Sequence, residues 1–320
     1  MNKERLLWIA VDPTSLQILE LAKKVAAAPT TLLITGESGT GKDYLAREVH
    51  ELSPRRDAPF LKIDCASLPP NLVESELFGH ERGAFTGAVE RKLGRFELGG
   101  RGTIVLDEVA ALTLEAQGKL LRVLQERTFE RLGGTESITI DARLIALTNV
   151  DLPAAVKSRD FREDLYFRLN VLSIAVPPLR DHAADILPLA EYLLTRLGAI
   201  HARPRLRLSE DAQRMLKAYA WPGNIRELRN VLERAVVFSQ RTDADGKQKT
   251  AILEVADFPE TLREAGARIH PGALRSLEDV EREAIAATLD AMHYKLTQAA
   301  KVLGISRKTL LEKRKKYGLK

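Results

Sequence analysis

The sequence predicts an α/β fold, a parallel sheet with helices on both faces, followed by two all-helical units. Three observations predict it. Over the first 176 residues, short apolar runs alternate with helix-periodic stretches. These runs do not alternate apolar with polar residues, as expected of strands covered on both faces. After Pro177-Pro178 the strand-like runs stop and only helical patterns remain.

In chain order, strands are expected at Thr31–Ile34, Phe60–Ile63, Thr103–Leu106, Leu144–Leu147 and Ser173–Val176. A helix is expected over 117–126, because Leu120, Leu121 and Leu124 fall on one face. Beyond the prolines, 183–197, 209–219 and 224–239 read as helices. The polar stretch 241–273, with turns at Asp245-Gly246 and Pro271-Gly272, reads as a linker. Residues 274–320 read as three helices. The expected division is therefore 1–176 α/β, 177–240 helical, 241–273 linker and 274–320 helical.

Composition narrows the function classes. The chain has 320 residues, 45% hydrophobic and 29% charged, which is ordinary for a soluble protein. Its one cysteine, Cys65, excludes an internal disulfide framework and reads as a small buried residue at a strand end. Six apolar residues precede Asp12-Pro13, fewer than a secretory signal needs, and no stretch approaches the roughly 18 apolar residues of a membrane helix. A cytoplasmic protein is expected. Residues 295–320 hold nine Lys/Arg and one acid, Glu312, so the remainder of this +5 chain is net −3. A weakly acidic body with a basic end suggests one nucleic-acid-binding module.

Two strings point to nucleotide hydrolysis. Gly36-Glu37-Ser38-Gly39-Thr40-Gly41-Lys42 follows an expected strand and opens a helix, as a phosphate-cradling loop must. Its glycines let backbone N–H groups turn onto phosphates, the helix N-terminus adds positive potential, and Lys42 would reach the β- and γ-phosphates. Asp43 stands where the motif takes Ser or Thr, and a carboxylate does not reproduce a hydroxyl ligand to magnesium. Ile104-Val105-Leu106-Asp107-Glu108 is an apolar strand ending in two carboxylates. Asp107 would hold magnesium through water, and Glu108 would activate the attacking water as general base. Between these strings, Gly83-Ala84-Phe85-Thr86-Gly87-Ala88 places an aromatic in a glycine-flanked loop, poor for solubility but suited to anchoring a partner. Near the C-terminus a short helix presents Leu296, Ala299, Ala300 and Leu303 inward. Gly304 then turns the chain and Ser306 caps a basic helix from Arg307. That is helix-turn-helix spacing.

From about Pro29 to the C-terminus the chain resembles the bacterial enhancer-binding proteins, AAA+ ATPases that activate sigma-54 RNA polymerase. The resemblance rests on the phosphate loop, the paired carboxylates and the 83–88 loop, with Glu76-Leu77-Phe78-Gly79-His80-Glu81 before it. It implies a AAA+ P-loop sheet, a helical lid over 177–240 and a Fis-type DNA-binding domain over 274–320. It implies ATP and Mg²⁺ as cofactors, sigma-54 as the target of the 83–88 loop, and double-stranded DNA upstream of promoters as the ligand of the C-terminal domain. Phe161-Arg162-Glu163-Asp164-Leu165-Tyr166-Phe167-Arg168 is similar to the family's arginine-finger segment. Arg162 and Arg168 would then act from a neighbouring subunit of a ring, a hexamer, where such an arginine raises the rate by about 10³–10⁵. Thr148-Asn149 is similar to sensor I, and Arg226 in Trp221-Pro222-Gly223-Asn224-Ile225-Arg226 to sensor II. The string Pro222-Gly223-Asn224 also reads as a turn plus helix cap. Arg307, Lys308, Thr309 and Lys313, with Ser306 at the cap, would meet the DNA groove.

Three positions depart from the family pattern. Asp43 replaces the usual Glu, Asp64 the usual Asn that restrains the catalytic Glu, and Arg314 the usual Leu. Ionised Asp64 only accepts hydrogen bonds and would repel Glu108. With about 28 residues ahead of the ATPase region, control is expected from a separate regulatory protein, from expression level or from a segment outside this sequence. Two rival readings remain. A DNA-binding regulator working with another sigma factor is disfavoured by the intact 83–88 loop. Another AAA+ motor is disfavoured by that loop and the helix-turn-helix together.

Overall fold

The computed structural model describes residues 8–67, 69–203, 205–239, 252–267, 277–292 and 294–318. These fall into two compact units, one running to Gly266 and the other from Ala267.

The first unit is built on five parallel strands, β1 (Leu32–Thr35), β2 (Phe60–Asp64), β3 (Thr103–Asp107), β4 (Arg143–Thr148) and β5 (Leu172–Ala175), in the order β2-β3-β4-β1-β5. Each expected strand is present within one residue. Side chains alternate between the two faces. Leu32, Ile34, Val105, Ile145 and Leu147 pack with helices α1 (Pro13–Ala26) and α2 (Lys42–Glu51). Leu33, Ile63, Ile104, Leu106 and Leu144 pack on the other side with α3 (Leu114–Glu126), where Leu120, Leu121 and Leu124 are buried. Asp12 caps α1 by accepting from Thr14 N at 3.0 Å. The buried Arg143 guanidinium closes its other end, donating to Val25 O and Ala26 O at 2.8 Å. Cys65 is buried after β2, and burial, the largest cause, pushes its thiol up to about 12.

Helices α4 (Glu163–Leu169), α5 (Ile186–Ile200), α6 (Glu210–Ala218) and α7 (Asn224–Phe238) follow. The last three enclose a second core around fully buried Trp221, whose indole N–H donates to Leu216 O at 2.9 Å. Here the structure differs from the expected 241–273 linker. Ile252–Leu253 pairs in parallel with Arg207–Leu208, and α8 (Glu260–Ala267) follows. Leu253, Phe258 and Leu262 are buried in the lid core. The rest of that stretch lies outside the described residues, apart from this segment.

The second unit contains α9 (Leu277–Ala291), α10 (Leu296–Val302) and α11 (Arg307–Lys316). Ile285, Leu289, Ala299, Ala300 and Leu310 form its core, and Gly304 turns between α10 and α11 at φ 67°. Among the described residues no helix is long and apolar enough to cross a membrane.

Candidate functional site

The loop between β1 and α2 bends tightly enough to present its backbone inward. A Cβ at Gly39 would lie 2.5 Å from Gly223 O, so glycine is what lets the loop tuck beneath the lid. The Thr40 hydroxyl donates to Glu37 O at 2.9 Å. Lys42 Nζ donates to Gly36 O at 2.8 Å and Glu37 O at 3.0 Å, holding its ammonium across the mouth of the loop. Burial pushes the Lys42 pKa down, against the pull of Glu108 and Asp107.

The lid closes on this loop through the start of α7. Arg226 Nη1 donates to Ser38 Oγ at 2.7 Å, and Ile225 N donates to Gly39 O at 2.9 Å. The string Pro222-Gly223-Asn224 opens α7, with Gly223 at the N-cap position. The Asn224 carboxamide is spent elsewhere. Its Nδ2 donates to Ser38 O at 3.0 Å and Glu37 Oε2 at 3.2 Å, and its Oδ1 accepts from Leu179 N at 2.8 Å. Arg180 grips Glu37 with two bonds of 2.9 and 2.6 Å. These bonds, from Arg180 first and then Asn224, hold the Glu37 carboxyl down at about 2. A cavity of about 760 Å³ opens beside this latch, lined by Glu37, Ser38, Asn149, Gly223 and Arg226. An apolar slot adjoins Gly41, walled by Trp8, Tyr44, Tyr192, Leu193 and Ile225. It is narrow, with an interior of about 30 Å³, and sequence reasoning missed it. Its wall comes from four separate segments and has no local motif.

Asp107 ends β3 and Glu108 follows it, both close enough to the loop to act on the Lys42 charge. The Glu108 carboxylate accepts from Asn149 N at 3.2 Å, and the buried Thr148 hydroxyl accepts from Val150 N at 3.0 Å, so β4 delivers both sensor candidates here. Asp64 lies beside Asp107 in register, but its carboxylate is occupied locally. It accepts from Ala66 N at 3.0 Å and Ser67 N at 3.2 Å. Lys62 Nζ lies 2.7 Å from Asp107 and 3.8 Å from Asp43. Burial opposes the Lys62 charge, yet Asp107, with help from Asp43 and Asp64, holds its pKa above the usual value. Among the described residues no group of three or more His, Cys, Asp or Glu side chains could hold a metal ion unaided. Asp107, with Asp43 across Lys62 from it, offers the hard carboxylate oxygens that a magnesium ion would take.

The two finger candidates, Arg162 and Arg168, are bonded to groups outside the phosphate loop. Arg162 donates two hydrogen bonds to Asp164, from Nε at 3.0 Å and from Nη2 at 2.7 Å. Arg168 donates to Leu124 O at 3.2 and 3.0 Å, closing the end of α3.

The 83–88 loop is cinched at its neck by Gly83 N donating to Ala88 O at 2.8 Å. Gly83 and Gly87 adopt φ of 84° and 109°. Phe85 is 39% exposed, its ring set edge-on to His80 at 5.0 Å. A clamp invisible in the sequence holds the base. Arg131, its side chain 3% exposed, donates to both Glu97 oxygens, to Glu81 and to Glu136, all at 2.8–3.0 Å. It follows the first strand of the hairpin Thr128–Glu130/Ser137–Thr139, so hairpin and loop share one anchor.

In the second unit, Ser306 caps α11 as expected, accepting from Thr309 N at 3.1 Å. Arg307 and Lys308 are exposed, and Arg314 is half-buried. Lys313 is paired, its ammonium 2.5 Å from Glu281.

Comparison with known proteins decides the family. The sigma-54 interaction domain profile matches residues 8–175, the AAA+ ATPase lid domain profile 180–275, and the Fis family regulatory protein profile 276–317. The chain belongs to the sigma-54-dependent activators. It is similar to the transcriptional regulatory protein FlbD of Caulobacter vibrioides, at 42% identity over 96% of this chain and 69% of that protein. It is similar to the regulatory protein AtoC of Escherichia coli, at 43% identity over 96% of this chain and 67% of that protein. The Nif-specific regulatory protein of Azotobacter vinelandii is 42% identical, over 92% of this chain and 55% of that protein. Among solved structures, NtrX from Brucella abortus in complex with ADP aligns with a TM-score of 0.74 at 30% identity, covering 98% of this chain and 70% of that chain. The lid profile of these activators takes in the packed 252–267 segment.

Proposed function

We propose that this sigma-54-dependent activator binds ATP with Mg²⁺ between subunits of a hexameric ring and hydrolyses it. Each cycle drives the 83–88 loop against sigma-54 to open promoters from upstream DNA held by 274–320. One juxtaposition carries the reading. A lid-covered phosphate loop faces Asp107 and Glu108 in the same chain that holds an aromatic-tipped loop on a buried clamp. In this reading the Gly36–Asp43 segment and Arg226 hold the phosphates, and Lys42 meets the β- and γ-oxygens. Magnesium bound at Asp107 would neutralise phosphate charge. Glu108 takes a proton from the attacking water while Thr148 and Asn149 sense the γ-phosphate, and Arg162 and Arg168 serve the neighbour's site. Residues 83–88 contact the sigma factor, and Ser306, Arg307, Lys308, Thr309 and Lys313 face DNA. The protein works in the cytoplasm, under control from a separate regulatory protein, from expression level or from a segment outside this sequence.

The test is Phe85→Ala. A buried interface aromatic is typically worth about 2 kcal/mol or more. The variant is expected to assemble and hydrolyse ATP, yet to lose sigma-54 binding with a transition-state analogue and promoter opening in a purified assay. Normal opening by Phe85→Ala would sink the mechanism. A wild type that never opens such a promoter would favour the DNA-binding regulator instead.

A further inference from the structure

The cation beside Asp107 is a side chain of this chain. Lys62 and Asp107 lie on neighbouring strands, and the register sets Lys62, Asp64, Val105 and Asp107 on one face of the sheet. From there the Lys62 stem reaches forward until Nζ is 2.7 Å from Asp107 Oδ2 and 3.8 Å from Asp43 Oδ2. These are the carboxylates suited to magnesium. Lys42 does not compete for them, because its ammonium is bonded to Gly36 O and Glu37 O. The two lysines thus divide the site, one serving the phosphate loop and the other its acids.

We propose that Lys62 is a tethered counter-cation that must leave Asp107 before a divalent ion can use that carboxylate, and that it thereby weakens this chain's hold on the metal. The inference rests on the ATP reading and adds a residue that tunes it. Without a compensating charge, Asp43, Asp107 and Glu108 would repel one another at the end of the sheet. A lysine on a flexible stem supplies that charge, and it can withdraw because the side chain is 39% exposed. Withdrawal breaks an ion pair and leaves a positive charge near the incoming metal, and both effects oppose metal binding.

The experiment uses the full chain with one equivalent of adenylyl imidodiphosphate, a non-hydrolysable ATP analogue. Mn²⁺ is titrated in and free Mn²⁺ is read by electron paramagnetic resonance. Lys62→Gln and Lys62→Met remove the charge, and thermal unfolding and metal-free analogue binding check the fold. Both neutral variants are expected to bind Mn²⁺ about fivefold more tightly, the scale of a partly exposed ion pair, whereas Lys62→Arg stays within about twofold of wild type. Unchanged or weaker Mn²⁺ binding in the neutral variants overturns the proposal. So does an Lys62→Arg variant that matches them, because charge would then not be the cause. A wild type that does not bind the analogue brings down the ATP reading itself, and this proposal with it.

Discussion

Glu108 occupies the left-handed region, at φ 53° and ψ 53°, which non-glycine residues seldom adopt. The bend turns its carboxylate off the strand axis and onto Asn149 N, a small strain at a position argued to carry chemistry. Glutamine keeps the shape and the accepting oxygen but cannot take a proton from water. Glu108→Gln is expected to bind ATP within about twofold of wild type while phosphate release falls about 10²–10⁴-fold, the usual contribution of a general base. Near-normal release would place the base elsewhere. Glu37 makes a pH prediction. Its carboxyl is held down at about 2 by Arg180 and Asn224, against 4.5 when free. A depressed acid adds stability that is fully present above about pH 4.5 and is lost as pH falls toward 2. The melting temperature of wild type should therefore drop more steeply between pH 5 and 3 than that of Glu37→Gln. Parallel curves would show that this latch does not couple to folding.

At the scale of elements, α11 separates cations that are free from those already paired. Lys308 is exposed, whereas Lys313 must give up Glu281 to meet a phosphate. Each phosphate contact adds about 0.9 to the slope of log affinity against log salt. Lys308→Ala should lower that slope by about 0.9, and Lys313→Ala by less, in binding titrations across 50–200 mM salt. Equal losses would mean that Glu281 releases Lys313 at no cost. The same elements show what a sequence can disclose. The five strands were legible because each is a dense apolar run, and the phosphate loop because its glycines and lysine are contiguous. Residues 252–267 were not, since Leu253, Phe258 and Leu262 are too widely spaced to show a period. The turn and cap at Pro222-Gly223-Asn224 were legible because they are local, whereas the Asn224 bond to Glu37 spans 187 residues. Arg131 gave no signal at all. Its three carboxylates are scattered from Glu81 to Glu136, and only the fold gathers them.

For the whole molecule, the arrangement of Arg162 and Arg168 bears on assembly. Each is bonded to its own chain, to Asp164 or Leu124, and so is preset at a surface. A site completed by a second copy can be rebuilt from two broken ones. Rings mixed from Arg168→Ala and Glu108→Gln subunits are expected to recover activity that neither variant has alone, because some interfaces regain both groups. Demonstrated mixed rings with no recovery would count against action across the boundary.

One buried carboxylate has a mechanical meaning. Asp185 accepts from Val11 N at 2.6 Å and Asp12 N at 2.8 Å, and it also meets His182 at 2.9 Å. It rivets the segment carrying Trp8 to the lid, and Trp8 is a wall of the apolar slot. Tension applied to residues ahead of the rivet would thus reach the slot's wall directly. A reporter fused close to Trp8 would tug on that wall, while one joined through a slack tether would not. Tether length then becomes a dial on the load that this wall carries.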